Sequence, residues 1–340
     1  MFAHENHIIL NDIKFKFSKS ISLKIFIISI FCFLSSCNAQ KEIEGKPNFI
    51  VILTDDQSWV GTSFLADPED PRSKSDYYQT PNMERLAKSG MRMTNGYAPA
   101  PFCSPTRKSI LTGLTPAKHE YQKDRVNWTK TFRKQMTIPK ILKIADPNYV
   151  TAHFGKWDAR YDNFTPEEMG YDFSDGLTSN NTGGGKNTLN KNGTDFEFKM
   201  GEAWPKAYDD PKLIFSLTQR SNDFIERQTI NNKPFFIQIS HYAVHLAITY
   251  SQKNKDKYIK FRKGKKHFVP EFAAMNEDMD EGIGMILDKV ASLGISDNTY
   301  IIFMSDNGGR SSIPVGAEQK VARYFPLRGG KGSMYEGGLR

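Results

Sequence analysis

An α/β sandwich with a mostly parallel central sheet, flanked by helices, is what the sequence predicts. Three observations carry this. Apolar runs of strand length alternate with segments of helical period. The runs Asn48–Thr54, Phe235–Ser240 and Tyr300–Met304 are nearly continuous in apolar residues, as buried strands are. The first and last of them close on acids, which places polar chemistry at strand ends.

The elements follow in order. Asn48–Thr54 is a strand closed by Asp55-Asp56. Thr80 reads as the N-cap of a helix through Lys88, with Pro81 in the first turn and Gly90 as stop. A second helix follows Pro105, through Ile110 and Leu111 to Gly113, and a third from Thr137 places Ile138, Ile141, Leu142 and Ile144 on one face. Tyr149–Phe154 is a strand, Pro211–Gln228 a helix and Phe235–Ser240 a strand. Glu271–Leu293 is a long helix, and Tyr300–Met304 a strand running into Ser305-Asp306-Asn307-Gly308-Gly309. Residues 174–200 are polar and rich in Gly and Asn, a long surface loop. There is no internal repeat.

The 340 residues, 39% hydrophobic and 25% charged, exclude a disordered, collagenous or multi-span membrane chain. The net charge of +8 is modest, and no Lys/Arg run resembles a nucleic-acid arm. At the N-terminus, Lys14, Lys16, Lys19 and Lys24 precede an apolar run from Ile25 to Leu34, of signal-peptide rather than membrane-spanning length. Leu34-Ser35-Ser36-Cys37 resembles a bacterial lipobox. The expected organisation is a lipoprotein signal over 1–36, a tether over 37–46 and a folded body over 47–340. The body would be exported and held at the membrane only by a lipid on Cys37, in the periplasm or at the outer membrane. Cys103 is then the one cysteine of the body, with no intrachain disulfide partner. Its ordinary reading is a small buried apolar side chain.

Asp55-Asp56 and Asp306-Asn307 each follow an apolar strand. Either pair alone reads as a turn or helix cap. Together they make a hard, oxygen-only donor set that suits Ca²⁺ or Mg²⁺ and lacks the His and Cys that Zn²⁺ favours. Cys103 lies at a helix start, where unpaired N–H groups favour negative charge.

The segment Cys103-Ser104-Pro105-Thr106-Arg107-Lys108-Ser109-Ile110-Leu111-Thr112-Gly113 resembles the signature of type I sulfatases, Cys-x-Pro-x-Arg followed by Leu-Thr-Gly. Five further stretches are similar to motifs of that family and stand in family order around it. They are Pro47–Asp56 with Thr80–Ala87, Phe154-Gly155-Lys156-Trp157, Ser305–Gly309, and Gly330–Arg340 with its Lys-Gly and Glu-Gly-Gly. The resemblance implies an alkaline-phosphatase-like sandwich and hydrolysis of sulfate esters, with sulfated carbohydrate as substrate. It implies one Ca²⁺ on Asp55, Asp56, Asp306 and Asn307. It implies that Cys103 is oxidised to formylglycine by a formylglycine-generating or anaerobic maturating enzyme, its hydrate being the nucleophile. Arg107 would hold the hydrate, Lys156 and Lys331 the sulfate oxygens, and His245 would face the leaving group, with His241 as a nearby rival. His119 matches a recurrent family histidine.

Two departures stand out. Asp158 occupies the place where the family commonly has a His that helps the hydrate collapse, so Asp158 is the candidate base, with Arg160 or His153 compensating its charge. Arg340 falls inside the last motif, so the resemblance implies a smaller C-terminal subdomain that this sequence does not contain. Two other functions stay open: a phosphoesterase of the same superfamily, which would need a Ser/Thr nucleophile and His-rich Zn²⁺ ligands, and a non-catalytic glycan-binding lipoprotein.

Overall fold

The structure is a computed structural model that describes residues 45–119, 130, 132–158, 164–180, 182–183, 206–313 and 320–340. The signal and tether up to residue 44 with Cys37, Arg160, and most of the 174–200 loop lie outside the described residues.

Five strands form the central sheet: β1 (Asn48–Thr54), β2 (Val150–Gly155), β3 (Phe173–Ser174), β5 (Phe235–Ser240) and β7 (Thr299–Ser305), in spatial order β3-β2-β5-β1-β7. Every pairing among them is parallel. A separate parallel pair joins β4 (Lys206–Ala207) to β6 (Thr249–Tyr250). Among the described residues the α-helices are α1 (Pro81–Ser89), α2 (Cys103–Thr112), α3 (Ile138–Ala145), α4 (Ile214–Ile230), α5 (Gln252–Ile259), α6 (Pro270–Ser292) and the short α7 (Glu336–Leu339).

Period-two alternation sorts the strand residues into two core layers. Ile50, Ile52, Ile237 and Ile239 pack with Leu217 and Ile225 of α4 and Met275, Met279 and Ile283 of α6. Val51 and Phe236, on the opposite face, pack with Leu111 of α2, Trp157 and Phe164. Helices therefore cover both faces, which is why these strands read as continuous apolar runs. The register brings Leu53 level with Ser240, Thr54 with Ser305 and Gly155 with Ser240. The carboxyl ends of β1, β2, β5 and β7 thus meet along one edge. The outermost strand β7 leaves Tyr300 60% and Ile302 42% exposed.

Two helix starts differ from expectation. Thr80 precedes α1 but makes no side-chain cap. Its Oγ1 accepts from Ser63 N at 2.8 Å, and the cap comes from Asp280 of α6, which accepts from Asn82 N at 3.0 Å and Met83 N at 2.8 Å. The helix expected from Pro211 begins as a separate 3₁₀ turn, Pro211–Leu213. Lys212 and Leu213 there have left-handed φ of 54°. The α-helix proper starts at Ile214, capped by Asp210, which accepts from Phe215 N at 2.8 Å. In both places a carboxylate with better reach took the orphan N–H groups.

Candidate active site

The carboxyl edge gathers the acids. Asp55 and Asp56 continue from β1 and Asp306 and Asn307 from β7, all buried. Asp306 Oδ1 accepts from Asp56 N at 3.2 Å, and Asn307 Nδ2 donates to Asp56 Oδ1 at 2.8 Å, so the two strand tips are tied directly. Three cations answer three carboxylates. Arg107 donates through Nε and Nη2 to Asp306 Oδ2 at 3.0 and 2.7 Å, and through Nη1 to Lys156 O at 2.8 Å. Lys156 Nζ donates to Asp55 Oδ2 at 2.6 Å, and Lys331 Nζ to Asp56 Oδ1.

Gly155 makes the Lys156 placement possible. It has φ 90°, and a Cβ there would stand 2.1 Å from Ser240 O. The chain therefore turns tightly off β2 and drops Lys156 into the cluster, where it is wholly buried.

The electrostatics follow from burial and pairing. Burial by itself would raise Asp55, but Lys156, His245 and Arg107 hold it well below the usual carboxylate range. Asp56 is lowered too, with Lys331 foremost against its burial. Asp306 is pushed up to about 7 by burial and by Asp55, against Arg107. Burial works against the charge of Lys156, yet Asp55 raises its pKa above the ordinary value.

Cys103 opens α2 at its first helical position, and Lys331 Nζ stands 3.8 Å from its Sγ. The expected favour of the helix start for a thiolate does not prevail. Burial pushes the thiol up to about 11, and Asp55 and Asp306 offset the help of Lys156 and Lys331. An unmodified Cys103 is a neutral thiol at this place.

Within the acid cluster, Asp55 Oδ1, Asp56 Oδ2 and Asn307 Oδ1 are buried without a hydrogen-bond partner. Such orphans are costly and rare unless an ion or water completes them. They belong to three of the four residues expected to hold a cation, and two sets of possible ligand atoms, Asp55 with Asp306 and Cys103 and Asp55 with Asp56 and His245, each lie inside 4.8 Å of one another. The residues present fit a hard divalent cation.

His245 reaches this cluster. Its Nδ1 donates to Leu246 O at 2.6 Å, which leaves Nε2 facing Asp56 Oδ2 at 3.7 Å. Burial lowers its pKa to about 3, against the pull of Asp55 and Asp56. His241, the rival, is buried at the end of β5, where its N donates to Leu53 O at 2.8 Å; it falls in neither metal-competent group, and burial lowers it to about 4. His119 bonds Ser109 Oγ at 3.1 Å on the body of α2. His153 bonds Ser240 Oγ at 3.1 Å and packs edge-on to Trp157.

Asp158 lies against the start of α2. It has φ 64°, and its Oδ2 accepts from Ser104 Oγ at 2.6 Å. Burial would raise it, but Lys156 and Arg107 keep it down at about 2, so it is an ionised carboxylate. Sequence reasoning did not find Ser104 as its partner. Nor did it find Arg310, whose Nε lies 3.5 Å from Asp56 Oδ2, or Lys108, buried over the Phe164 ring at 5.0 Å. The basic residue after Gly308-Gly309 was the available signal for Arg310.

Hard oxygen donors and buried cations thus gather at the carboxyl edge of a parallel sheet, next to one side chain at a helix start. The sulfatase family model matches residues 47–340, and the chain belongs to that family. N-acetylgalactosamine-6-sulfatase of Mus musculus is 27% identical over 312 residues, 86% of this chain and 56% of that protein. A sulfatase of Formosa agariphila is 27% identical over 388 residues, 96% of this chain and 67% of that one. Among solved structures, the PsFucS1 sulfatase from Pseudoalteromonas sp. superposes with a TM-score of 0.64 at 23% identity, over 95% of this chain and 65% of its own. Its fold, the helix-flanked parallel sheet of the alkaline-phosphatase-like class, is shared. The chain spans little more than half the length of the mouse relative.

Proposed function

We propose that the protein hydrolyses sulfate esters of a sulfated carbohydrate, with the oxidised form of Cys103 as nucleophile. The observation that carries this is the set of three orphaned oxygens on Asp55, Asp56 and Asn307, beside a helix-borne cysteine with Lys331 at its sulfur. The names of two relatives, N-acetylgalactosamine-6-sulfatase and an ulvan-active sulfatase, support a glycan sulfate.

Ca²⁺ held by Asp55, Asp56, Asp306 and Asn307 would draw charge from a sulfate oxygen, while formylglycine hydrate at position 103 supplies the attacking oxygen. The chain's own side chains do the rest. Lys156 and Lys331 offer buried ammonium groups to the remaining sulfate oxygens. Arg107, clamped by Asp306 and Lys156 O, holds the hydroxyl at position 103 in line. His245, whose Nε2 lies 3.7 Å from Asp56 Oδ2, is the side chain that would face the leaving alcohol. Asp158, ionised at rest, accepts the hydroxyl proton transiently as the aldehyde re-forms, and Ser104 donates to its carboxylate beside α2. Conversion of Cys103 falls to a formylglycine-generating or anaerobic maturating enzyme. Export with a lipid on Cys37 places the enzyme where polymeric sulfated glycan is met; no helix among the described residues is long and apolar enough to cross a membrane.

The test is peptide mass spectrometry across residues 94–107 of protein from the native host, joined to an assay of an aryl sulfate against its phosphate. Loss of the thiol mass in favour of the aldehyde, with turnover of the sulfate alone, is expected. An intact thiol in that protein, or preference for the phosphate, overturns the reading.

A further inference from the structure

A second concentration of positive charge lies outside the Cys103 centre. Residues 253–266 contain Lys253, Lys255, Lys257, Lys260, Arg262, Lys263, Lys265 and Lys266. Four of them are engaged within the fold. Lys253 pairs with Glu281 at 3.0 Å, Lys255 with Glu271 at 3.1 Å and Lys257 with Glu277, which staples α5 to α6. Lys266 Nζ donates to the carbonyls of Arg72 and Lys74 at 2.8 and 2.7 Å. The other four, Lys260, Arg262, Lys263 and Lys265, are exposed. Among the described residues their side chains have no ion pair and no hydrogen bond.

The loop that carries them is built rather than loose. Asp76 accepts from the backbone N–H groups of Lys265 at 2.6 Å, Lys266 at 2.9 Å and His267 at 3.1 Å. Gly264 permits that wrap, because a Cβ there would stand 2.3 Å from Asp76 Oδ1. Between this loop and the segment before α1 is an open cavity of ≈ 690 Å³, lined by Lys74, Tyr77, Gln79, Lys260, Phe261 and Arg262 among others. Its two acids are both occupied: Asp76 by the loop, and Glu84 by Lys88 at 2.8 Å. Phe261 is 38% exposed, an apolar surface beside free cations.

The two segments that line most of the cavity both leave the sheet at its carboxyl edge. The segment 57–80 leaves the carboxyl end of β1 directly after Asp56, and residues 241–269 leave the carboxyl end of the neighbouring β5 and include His245. None of its lining residues belongs to the Cys103 centre.

We infer that this cavity is a second anion-binding site that grips a sulfated glycan chain at sugars away from the one being hydrolysed. The inference rests on the proposed substrate class and extends it from an ester to a polymer. Ammonium and guanidinium groups meet sulfates, Gln79 and Ser63 meet hydroxyls, and Phe261 offers a face to a sugar ring. Concavity with mixed polar and aromatic lining favours a flexible sugar chain over a duplex or a bilayer, which present broad convex or flat faces.

The experiment uses the whole chain in a Cys103→Ala background, so that nothing is turned over. Probes are fluorescein-labelled dextran sulfate, unsulfated dextran of equal length, duplex DNA and phosphatidylglycerol vesicles. A Lys260→Glu/Arg262→Glu/Lys263→Glu variant should bind dextran sulfate about tenfold more weakly and with a shallower salt dependence. Dextran should bind neither protein. In the Cys103 background the same variant should hydrolyse a small aryl sulfate at an unchanged rate. If the triple variant melts early, Arg262→Gln alone should still weaken dextran sulfate binding. Unchanged affinity in these variants overturns the site, and so does binding of DNA or vesicles as tight as that of dextran sulfate and equally lost. Failure of the wild type to cleave any sulfate, with the dextran sulfate effect intact, would remove the catalytic reading and leave this site standing.

Discussion

Arg107, Lys156 and Lys331 in the catalytic centre and Lys260, Arg262, Lys263 and Lys265 in the basic loop bear the same charge in opposite surroundings. Arg107 and Lys156 are buried and Lys331 is largely enclosed, and each has a carboxylate: Asp306, Asp55 and Asp56. The other four stand in water without one. Burial makes pairing compulsory, because an isolated ion out of water is far costlier than its partner's attraction can be weak. What results is a set of cations fixed in place before any anion arrives, which suits a transition state. Exposed cations keep their freedom and their hydration. They attract a polyanion from a distance and yield to salt.

The largest effect should come from breaking a buried pair. Arg107→Ala leaves Asp306 and its neighbours uncompensated and removes the bridge to Lys156 O. It should lower stability by about 3–5 kcal/mol and abolish aryl sulfate turnover. Arg107→Lys keeps the charge but not the fork, so melting should recover in part while turnover stays low. Thermal melts and initial rates decide it. An Arg107→Ala protein that melts like wild type would mean the pair is not the constraint described above.

Removal of the divalent ion ranks next. Chelation should expose the orphans Asp55 Oδ1, Asp56 Oδ2 and Asn307 Oδ1 to full cost. Restoring Ca²⁺ at a hundred times its dissociation constant should return about 2.7 kcal/mol, read as a rise in melting temperature. The same chelation should leave dextran sulfate binding at the basic loop untouched. If melting is indifferent to Ca²⁺, the donor set has another purpose.

Asp158 gives a smaller and more specific change. Its pKa is lowered from 3.8 to about 2, so the stability it contributes is present above pH 4 and is lost only as pH falls through about 2. Across pH 5–8 it stays charged and should add no acid limb to the rate profile. Asp158→His should create one, with rate falling below about pH 6.5 as the imidazole protonates. Asp158→Asn keeps an acceptor for Ser104 but no base, and should slow turnover by about 10²-fold. Equal rates for Asp158→Asn and wild type would retire Asp158 as the proton acceptor.

The sequence discloses what local pattern can carry. Strand runs ending in Asp55-Asp56 and Asp306-Asn307 announced both the parallel sheet and the acid cradle, since burial on two faces and polarity at the tip are written within ten residues. The signature from Cys103 to Gly113 did the same for the helix start and Arg107. Contacts across long sequence separations left no such trace. Asp280 caps α1 from 198 residues away, which Thr80 was expected to do. Asp158 finds Ser104 and Arg310 nears Asp56 only because the sheet brings three strand ends together. For an unmodified Cys103, the helix start favours negative charge locally, while burial works against it and pushes the thiol up to about 11.

Salt gives the smallest and sharpest test of the two environments. Raising ionic strength from about 50 to 300 mM shortens the Debye length from roughly 14 to 6 Å, which screens exposed charges and barely reaches buried ones. The kcat for a small aryl sulfate should therefore stay flat, because Lys156 and Lys331 act from inside the protein. The KM for a long sulfated glycan should rise several-fold, and Arg262→Gln should blunt that rise while shifting stability by less than about 0.5 kcal/mol. A kcat that falls in parallel with salt would show that the centre is as open to solvent as the loop, and the distinction between the two sets of cations would fail.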